Sequence, residues 1–219
     1  MFDILYEDDQ VIVIDKPPGV PVQTSNLRMP DMVSEIKKYF VANGKEPYVG
    51  LVTRLDQPVG GVIAFGKNKK ATDCLASQIR DKSAGKEYIA RVTWDFDKEP
   101  LKAEDTGDLL DYLLRDGRTN TSKVVGKNTP GAKHAHLSYK VIEAGDDEAL
   151  VRVFLDTGRH HQIRVQFANA GYPLVGDKKY GSEKCKGMTK NVCLACVLFS
   201  FRHPVTGKEM IFETEPNFS

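Results

Sequence analysis

The chain has no run of about 18 apolar residues, so no membrane-spanning segment is read from it. The amino terminus, Met1-Phe2-Asp3-Ile4-Leu5-Tyr6-Glu7-Asp8-Asp9, lacks a basic stretch followed by an apolar core. It therefore does not read as a signal peptide, and a cytoplasmic location is expected. Cysteine is scarce: only Cys74, Cys185, Cys193 and Cys196 occur. Cys193-Leu194-Ala195-Cys196 sits in the apolar, β-prone run Val192–Phe201, where residues three apart point to opposite faces. That spacing and the missing second pair argue against a metal site and for small core residues, so no metal is expected. Excess charge of one sign is also absent, with 31 basic against 30 acidic residues, which excludes a wholesale nucleic-acid coat. Internal repeats, low-complexity tracts and long linkers are missing too. Residues 1–219 are therefore read as one domain, long enough to bury a sizeable core.

Locally, the charge is uneven. Residues 66–91 hold seven Lys/Arg against three acids, and residues 158–190 hold seven against two. The acids collect in Asp95–Asp105 and Glu143–Glu148. Such asymmetry suits one basic face for a phosphate backbone, or simply solvated lysine-rich helices.

The stretch Leu51–Phe65 organises the chain. Its residues predict a short extended segment, a tight turn and a buried strand. Pro58 fixes its own φ and biases Gln57 away from helix. Gly60 and Gly61 permit a left-handed or closely approached backbone. Asp56 sits at the mouth of this turn. From these residues alone it is either a turn cap or a rigidly held carboxylate able to reach a ligand.

Around it, Phe2–Asp15 reads as a hairpin, ended by Lys16-Pro17-Pro18-Gly19. Pro30–Gly44 predicts a helix with Asp31 near its start. A second helix is expected from Asn68 as N-cap to just before Gly85, followed by a strand over Lys86–Val92. Asp95–Gly131 reads as short strands in exposed loops. Ala135–Glu143 and Ala149–Asp156 predict a second hairpin, and Arg159–Ala170 a third helix stopped by Gly171. On that helix His160 and Arg164 would share a face. Hairpins with a few helices imply an α+β fold with a largely antiparallel mixed sheet.

Several of these segments resemble, in order, the motifs of the RluA-type pseudouridine synthases. Lys16-Pro17-Pro18-Gly19 resembles the family's KPxG element, Thr53-Arg54-Leu55-Asp56 its HRLD signature, and Lys86-Glu87-Tyr88-Ile89-Ala90 its KxYxA strand. Gly158-Arg159-His160-His161-Gln162-Ile163-Arg164-Val165 is similar to GRTHQIRV. Gly176-Asp177-Lys178-Lys179-Tyr180-Gly181 and His203-Pro204-Val205-Thr206-Gly207 look like its closing elements. Thr53 departs from the family's His, and Val59-Gly60-Gly61 from its common Thr-Ser-Gly.

The resemblance implies an isomerase that converts specific uridines of structured RNA, ribosomal or transfer, into pseudouridine. It implies Asp56 as the catalytic carboxylate, Arg164 as its partner, and Tyr88 as the residue that packs on the base and is implicated in proton removal. Arg54, Arg159, His161 and Ile163, which lie in the same motifs, are the expected substrate-binding residues. The reaction breaks N1–C1′, rotates the uracil and joins C5 to C1′ without redox change, so no cofactor is expected. A nearby arginine would keep the carboxylate ionised. A phenol of ordinary pKa, about 10, is a poor resting base, so Tyr88 reads better as a stacking platform. The KPxG element begins by residue 16, so no separate S4-type RNA-binding domain is expected at the amino terminus. A monomer is the default. The competing reading is a non-catalytic RNA-binding protein that retains the fold.

Overall fold

A computed structural model describes residues 2–26, 28–95, 97–181, 185 and 189–218. The first half comprises β1 (Asp3–Glu7), β2 (Val11–Lys16), α1 (Met32–Ala42), β3 (Gly50–Leu51), β4 (Gly60–Gly66), α2 (Lys69–Arg80) and β5 (Gly85–Thr93). The second comprises β6 (Thr106–Asp116), β7 (Thr121–Val125), β8 (Lys133–Ala144), β9 (Glu148–Leu155), α3 (Gln162–Asn169), β10 (Leu194–Arg202) and β11 (Glu209–Glu213). These elements form two compact units, Met1–Lys86 with Ala195–Asn217, and Glu87–Leu194 with Phe218–Ser219.

In the first unit the strand order is β1-β2-β4-β10-β11, with β3 also paired to β4. All these pairs are antiparallel except β4–β10, which is parallel. The β1–β2 turn closes because the Asp8 carboxylate accepts from the amides of Gln10 and Val11, each at 2.8 Å. Every residue of β4 is buried, as is all of β2 except Asp15. Val11, Val13, Val62, Ala64, Leu75, Phe199 and Phe201 make one core cluster. Burying a large apolar side chain of this kind contributes about 1.5–3 kcal/mol. Both helices are capped, α2 by the Asn68 read as its N-cap and α1 by the Asp31 read near its start. Asp31 accepts from Ser34 N at 2.7 Å, and Asn68 from Ala71 N at 2.9 Å.

The second unit is an antiparallel sheet of order β5-β9-β8-β6-β7, against which α3 packs. Val165 of α3 joins Leu113 and Ala135 in a small core, and the Gln166 amide donates to Leu109 O at 3.0 Å and to Asp111 at 2.8 Å.

The α+β class and the two hairpins are as the residues imply, but three element boundaries differ. The second helix ends at Arg80, well short of Gly85, because the Asp81 carboxylate accepts from the Ser83 amide and hydroxyl and Lys82 turns left-handed at φ 62°. The segment read as short strands in exposed loops holds, besides the short β7, an 11-residue strand, β6. Its length is hidden in the sequence because it carries only one buried side chain, Leu113. The third helix begins at Gln162 rather than Arg159, since His161 adopts a left-handed φ of 56°. His160 therefore lies outside the helix and does not share a face with Arg164.

Candidate active site

In the first unit, the backbone between β3 and β4 is held from beneath. Val59 N donates to Asp56 O at 3.0 Å, closing a four-residue turn over Gln57 and Pro58. Gly19 N donates to Gln57 O at 2.9 Å, and the Gln57 side chain returns a bond to Gly19 O at 3.1 Å. Lys16 is fully buried, and its ammonium donates to Pro17 O at 2.9 Å, Val20 O at 2.7 Å and Gln57 O at 3.3 Å. Burial pushes the Lys16 pKa down to about 8, against the opposing pull of the Asp56 and Asp15 carboxylates. The Lys16-Pro17-Pro18-Gly19 element, read from sequence only as a strand terminator and a family motif, is thus the support of the turn that carries Asp56. Asp56 itself is half-buried and Arg54 is exposed. Upstream of them, Thr53 Oγ1 accepts from the Lys86 ammonium, which lies 5.0 Å over the Phe199 ring. Burial lowers the pKa of Lys86 to about 8, with the nearby Cys196 opposing. The hydroxyl that replaces the family's imidazole at position 53 therefore has a defined partner.

In the second unit, Tyr88 lies on β5 opposite Val153 of β9 and is 7% exposed. Ile163 and Arg164 sit in the first turn of α3, both buried. The Arg164 guanidinium engages Asp177 through two parallel bonds, Nε to Oδ2 at 2.7 Å and Nη2 to Oδ1 at 2.8 Å. Its Cζ lies 5.2 Å from the centre of the Tyr180 ring. The Tyr180 hydroxyl accepts from Ser122 N at 2.8 Å and bonds His161 Nδ1 at 2.7 Å. His161 is buried and stacks on His160 at a 3.7 Å centroid separation. Arg159 is exposed, with Nε on His134 O at 2.8 Å. Arg54 and Asp56 thus belong to the first unit, and Tyr88, Arg159, His161, Ile163 and Arg164 to the second.

The two basic clusters shrink on folding. Lys67 is committed to Glu7 at 2.7 Å and Lys86 to Thr53, while Lys69, Lys70, Arg80 and Lys82 remain exposed. In the second cluster Arg164 is buried on Asp177, whereas Arg159, Lys178, Lys179 and Lys190 face outward. Lys184 and Lys186, counted with them in the sequence, lie outside the described residues. Asp177 and Tyr180, which contact Arg164, are not singled out from the sequence, although the Gly176–Gly181 motif that contains them is legible.

A family model described as RNA pseudouridylate synthase matches residues 10–169. The dual-specificity RNA pseudouridine synthase RluA of Escherichia coli K12 is 33% identical over 218 residues, covering 98% of this chain and 93% of its own. The ribosomal large subunit pseudouridine synthase D of Vibrio cholerae is 30% identical over 223 residues, covering 96% of this chain and 66% of its own. In fold, the chain is similar to human RNA pseudouridylate synthase domain containing 1, at a TM-score of 0.77 and 20% identity over 98% of this chain and 83% of that one. With motifs in family order, a matching family model and a near full-length relative at one-third identity, the chain belongs to the RNA pseudouridylate synthase family.

Proposed function

We propose that this chain is an RNA pseudouridine synthase that isomerises specific uridines in structured ribosomal or transfer RNA, acting as a cytoplasmic monomer. The observation that carries the reading is the 33% identity over 98% of the chain to a relative named as a dual-specificity RNA pseudouridine synthase. The ordered motifs add the candidate residues, and the buried support beneath the Asp56 turn fits a carboxylate that must be held still.

In this reading Asp56 attacks at the ribose, or withdraws a proton from it, while the N1–C1′ bond breaks. The freed uracil turns, C5 bonds to C1′, and the proton lost from C5 is balanced by one gained at N1. Product and substrate therefore have the same composition, and no cofactor is consumed. Arg164 supplies the positive charge that keeps a carboxylate ionised. Tyr88 offers a ring face to the uracil, a contact worth about 1–3 kcal/mol per base in comparable stacks. The uridine must leave its own stack first, at a cost of a few kcal/mol. Phosphate contacts from outward-facing cations such as Arg159, Lys178 and Lys179 offset that cost.

The test is incubation of the protein with RNA from a strain lacking its gene, followed by mapping of pseudouridine. New pseudouridine at discrete positions is expected. RNA binding with no new pseudouridine on any RNA would instead support the non-catalytic binder. Asp56→Asn should abolish turnover while leaving RNA affinity within about threefold, since one carboxylate does the chemistry. Wild-type turnover in that variant would remove Asp56 from the mechanism.

A further inference from the structure

We propose that Asp177 is a positioning residue for Arg164, taking the Nε–Nη2 edge of the guanidinium and thereby fixing the orientation of the cation during the reaction. The inference rests on the function proposed above and adds two residues to it, Asp177 and, through its ring, Tyr180.

Asp177 has no exposed surface. Its Oδ2 accepts from Arg164 Nε, and its Oδ1 accepts from Arg164 Nη2, Lys179 N at 2.9 Å and Tyr180 N at 3.1 Å. Burial alone would raise its pKa. The guanidinium and the two amides outweigh burial and hold the carboxylate below its usual range. The carboxylate is thus fixed in its own turn before it meets the arginine.

That turn is stiff. Gly176 is left-handed at φ 75°, and a Cβ there would lie 2.1 Å from Thr189 Oγ1 and 2.3 Å from Asn191 O. Gly181 N closes the turn onto Asp177 O at 2.9 Å, and a Cβ on Gly181 would stand 2.4 Å from that same oxygen. Between these glycines Tyr180 lays its ring against the guanidinium, and its hydroxyl is pinned at both sides by Ser122 N and His161 Nδ1.

Arg164 is therefore gripped along one edge and against one face. A planar fork held this way has a single orientation, which a lysine or a solvated arginine would lack. A buried ion pair contributes little to stability beyond what an apolar pair of similar volume would give, so stability alone is a weak reason for this arrangement.

The experiment compares Asp177→Asn, Arg164→Ala and the double variant for turnover, RNA affinity and thermal unfolding. Asp177→Asn keeps the shape but sets an amide group against a guanidinium nitrogen. We expect kcat to fall by about 30-fold or more, as for small misplacements of a reacting group, with RNA affinity within about threefold. In the Arg164→Ala background the same substitution should cost less than about threefold more, because its effect passes through Arg164. Equal losses in both backgrounds, or full activity of Asp177→Asn, would overturn the proposal. Should Asp177→Asn fail to fold, Tyr180→Leu keeps the Arg164–Asp177 pair and removes the ring together with the hydroxyl that bonds Ser122 N and His161 Nδ1. It should lower kcat about fivefold or more at unchanged RNA affinity, a size set by a lost cation–π contact. Wild-type turnover in that variant would also overturn the proposal. Absence of pseudouridine formation by the wild-type protein would instead defeat the functional reading beneath it.

Discussion

The Asp56 turn delivers its chain into β4 through Gly60 and Gly61, and these two glycines carry very different burdens. Gly61 has a φ of 109°, and a Cβ built on it would lie 2.1 Å from Cys196 O and 2.7 Å from Cys196 N, the backbone of the neighbouring strand β10. Gly61→Ala therefore imposes a backbone conformation worth about 1–3 kcal/mol of strain. It also forces the parallel β4–β10 pair apart at Cys196↔Gly61, an overpacking cost of about 1–3 kcal/mol. Together these give about 4 kcal/mol, a large share of a typical stability of about 5–15 kcal/mol.

Gly60 is milder. A Cβ there meets Lys16 O and Pro18 Cδ at 3.2 Å, and its backbone is not left-handed. Gly60→Ala should cost about 1 kcal/mol, in line with ordinary substitutions. At Gly117 an added Cβ meets nothing within 4 Å, so Gly117→Ala serves as the control and should stay within about 0.5 kcal/mol. For a chain of this length about 4 kcal/mol corresponds to a fall in Tm of roughly 8–16 °C. Calorimetry or urea unfolding of the three variants should rank Gly61→Ala far below Gly60→Ala, with Gly117→Ala near wild type. A Gly61→Ala protein as stable as the control would refute the claim that a close inter-strand approach fixes this glycine.

Two further perturbations follow from buried groups. Lys16 and Lys86 both have folded-state pKa values near 8, below an ordinary 10.5. Above pH 10.5 both are neutral whether folded or not. As pH falls to 8 the unfolded chain takes up protons that the folded chain refuses, so stability falls, by about 3 kcal/mol per lysine. Below 8 both states are charged and the deficit is constant. The difference in unfolding free energy between wild type and Lys86→Met should therefore change by about that amount between pH 8 and 10.5, and a flat difference would refute the burial argument. Asp31→Ala removes the cap of α1 and the acceptor of Thr24 N at 2.8 Å. A loss of about 2 kcal/mol in urea unfolding is expected, and a loss below about 0.5 kcal/mol would show that the cap is idle.

Much of the fold was legible because its signals are local. Alternation in β1, β2, β8 and β9, Asp31 at the start of α1, the Asn68 cap, and the Gly-Gly pair that opens β4 each act within a few residues of themselves. What escaped depended on partners distant in sequence. β6 reads as no more than a short strand in a loop because its side chains are mostly exposed or half-exposed, and its ladder is supplied by β7 and β8. The late start of α3 depends on His161 turning left-handed while its ring bonds Tyr180, 19 residues on. A residue with a Cβ has no intrinsic preference for that conformation, so periodicity could not announce it.

The site divides along the same line. Asp56, Tyr88 and Arg164 are proposed through motif likeness, which identifies residue types and order but carries no geometry. Their supports were not legible. Lys16 reads only as part of a strand terminator and family motif, yet it is fully buried on three carbonyls, one of them from a residue 41 positions away. Asp177 reads only as part of a family motif rich in lysine, yet it has no exposed surface and meets an arginine 13 residues earlier. In both cases a charge that composition assigns to the surface is inside, compensated by hydrogen bonds that only the folded backbone provides. A buried charge survives only where its partners are already in place. These two ions therefore report which turns of the molecule are rigid: the Asp56 turn over Lys16, and the Gly176–Gly181 turn around Asp177. Chemistry that depends on holding one carboxylate and one guanidinium still would be expected to draw on those two turns, so substitutions beneath them should cost turnover before they cost RNA affinity.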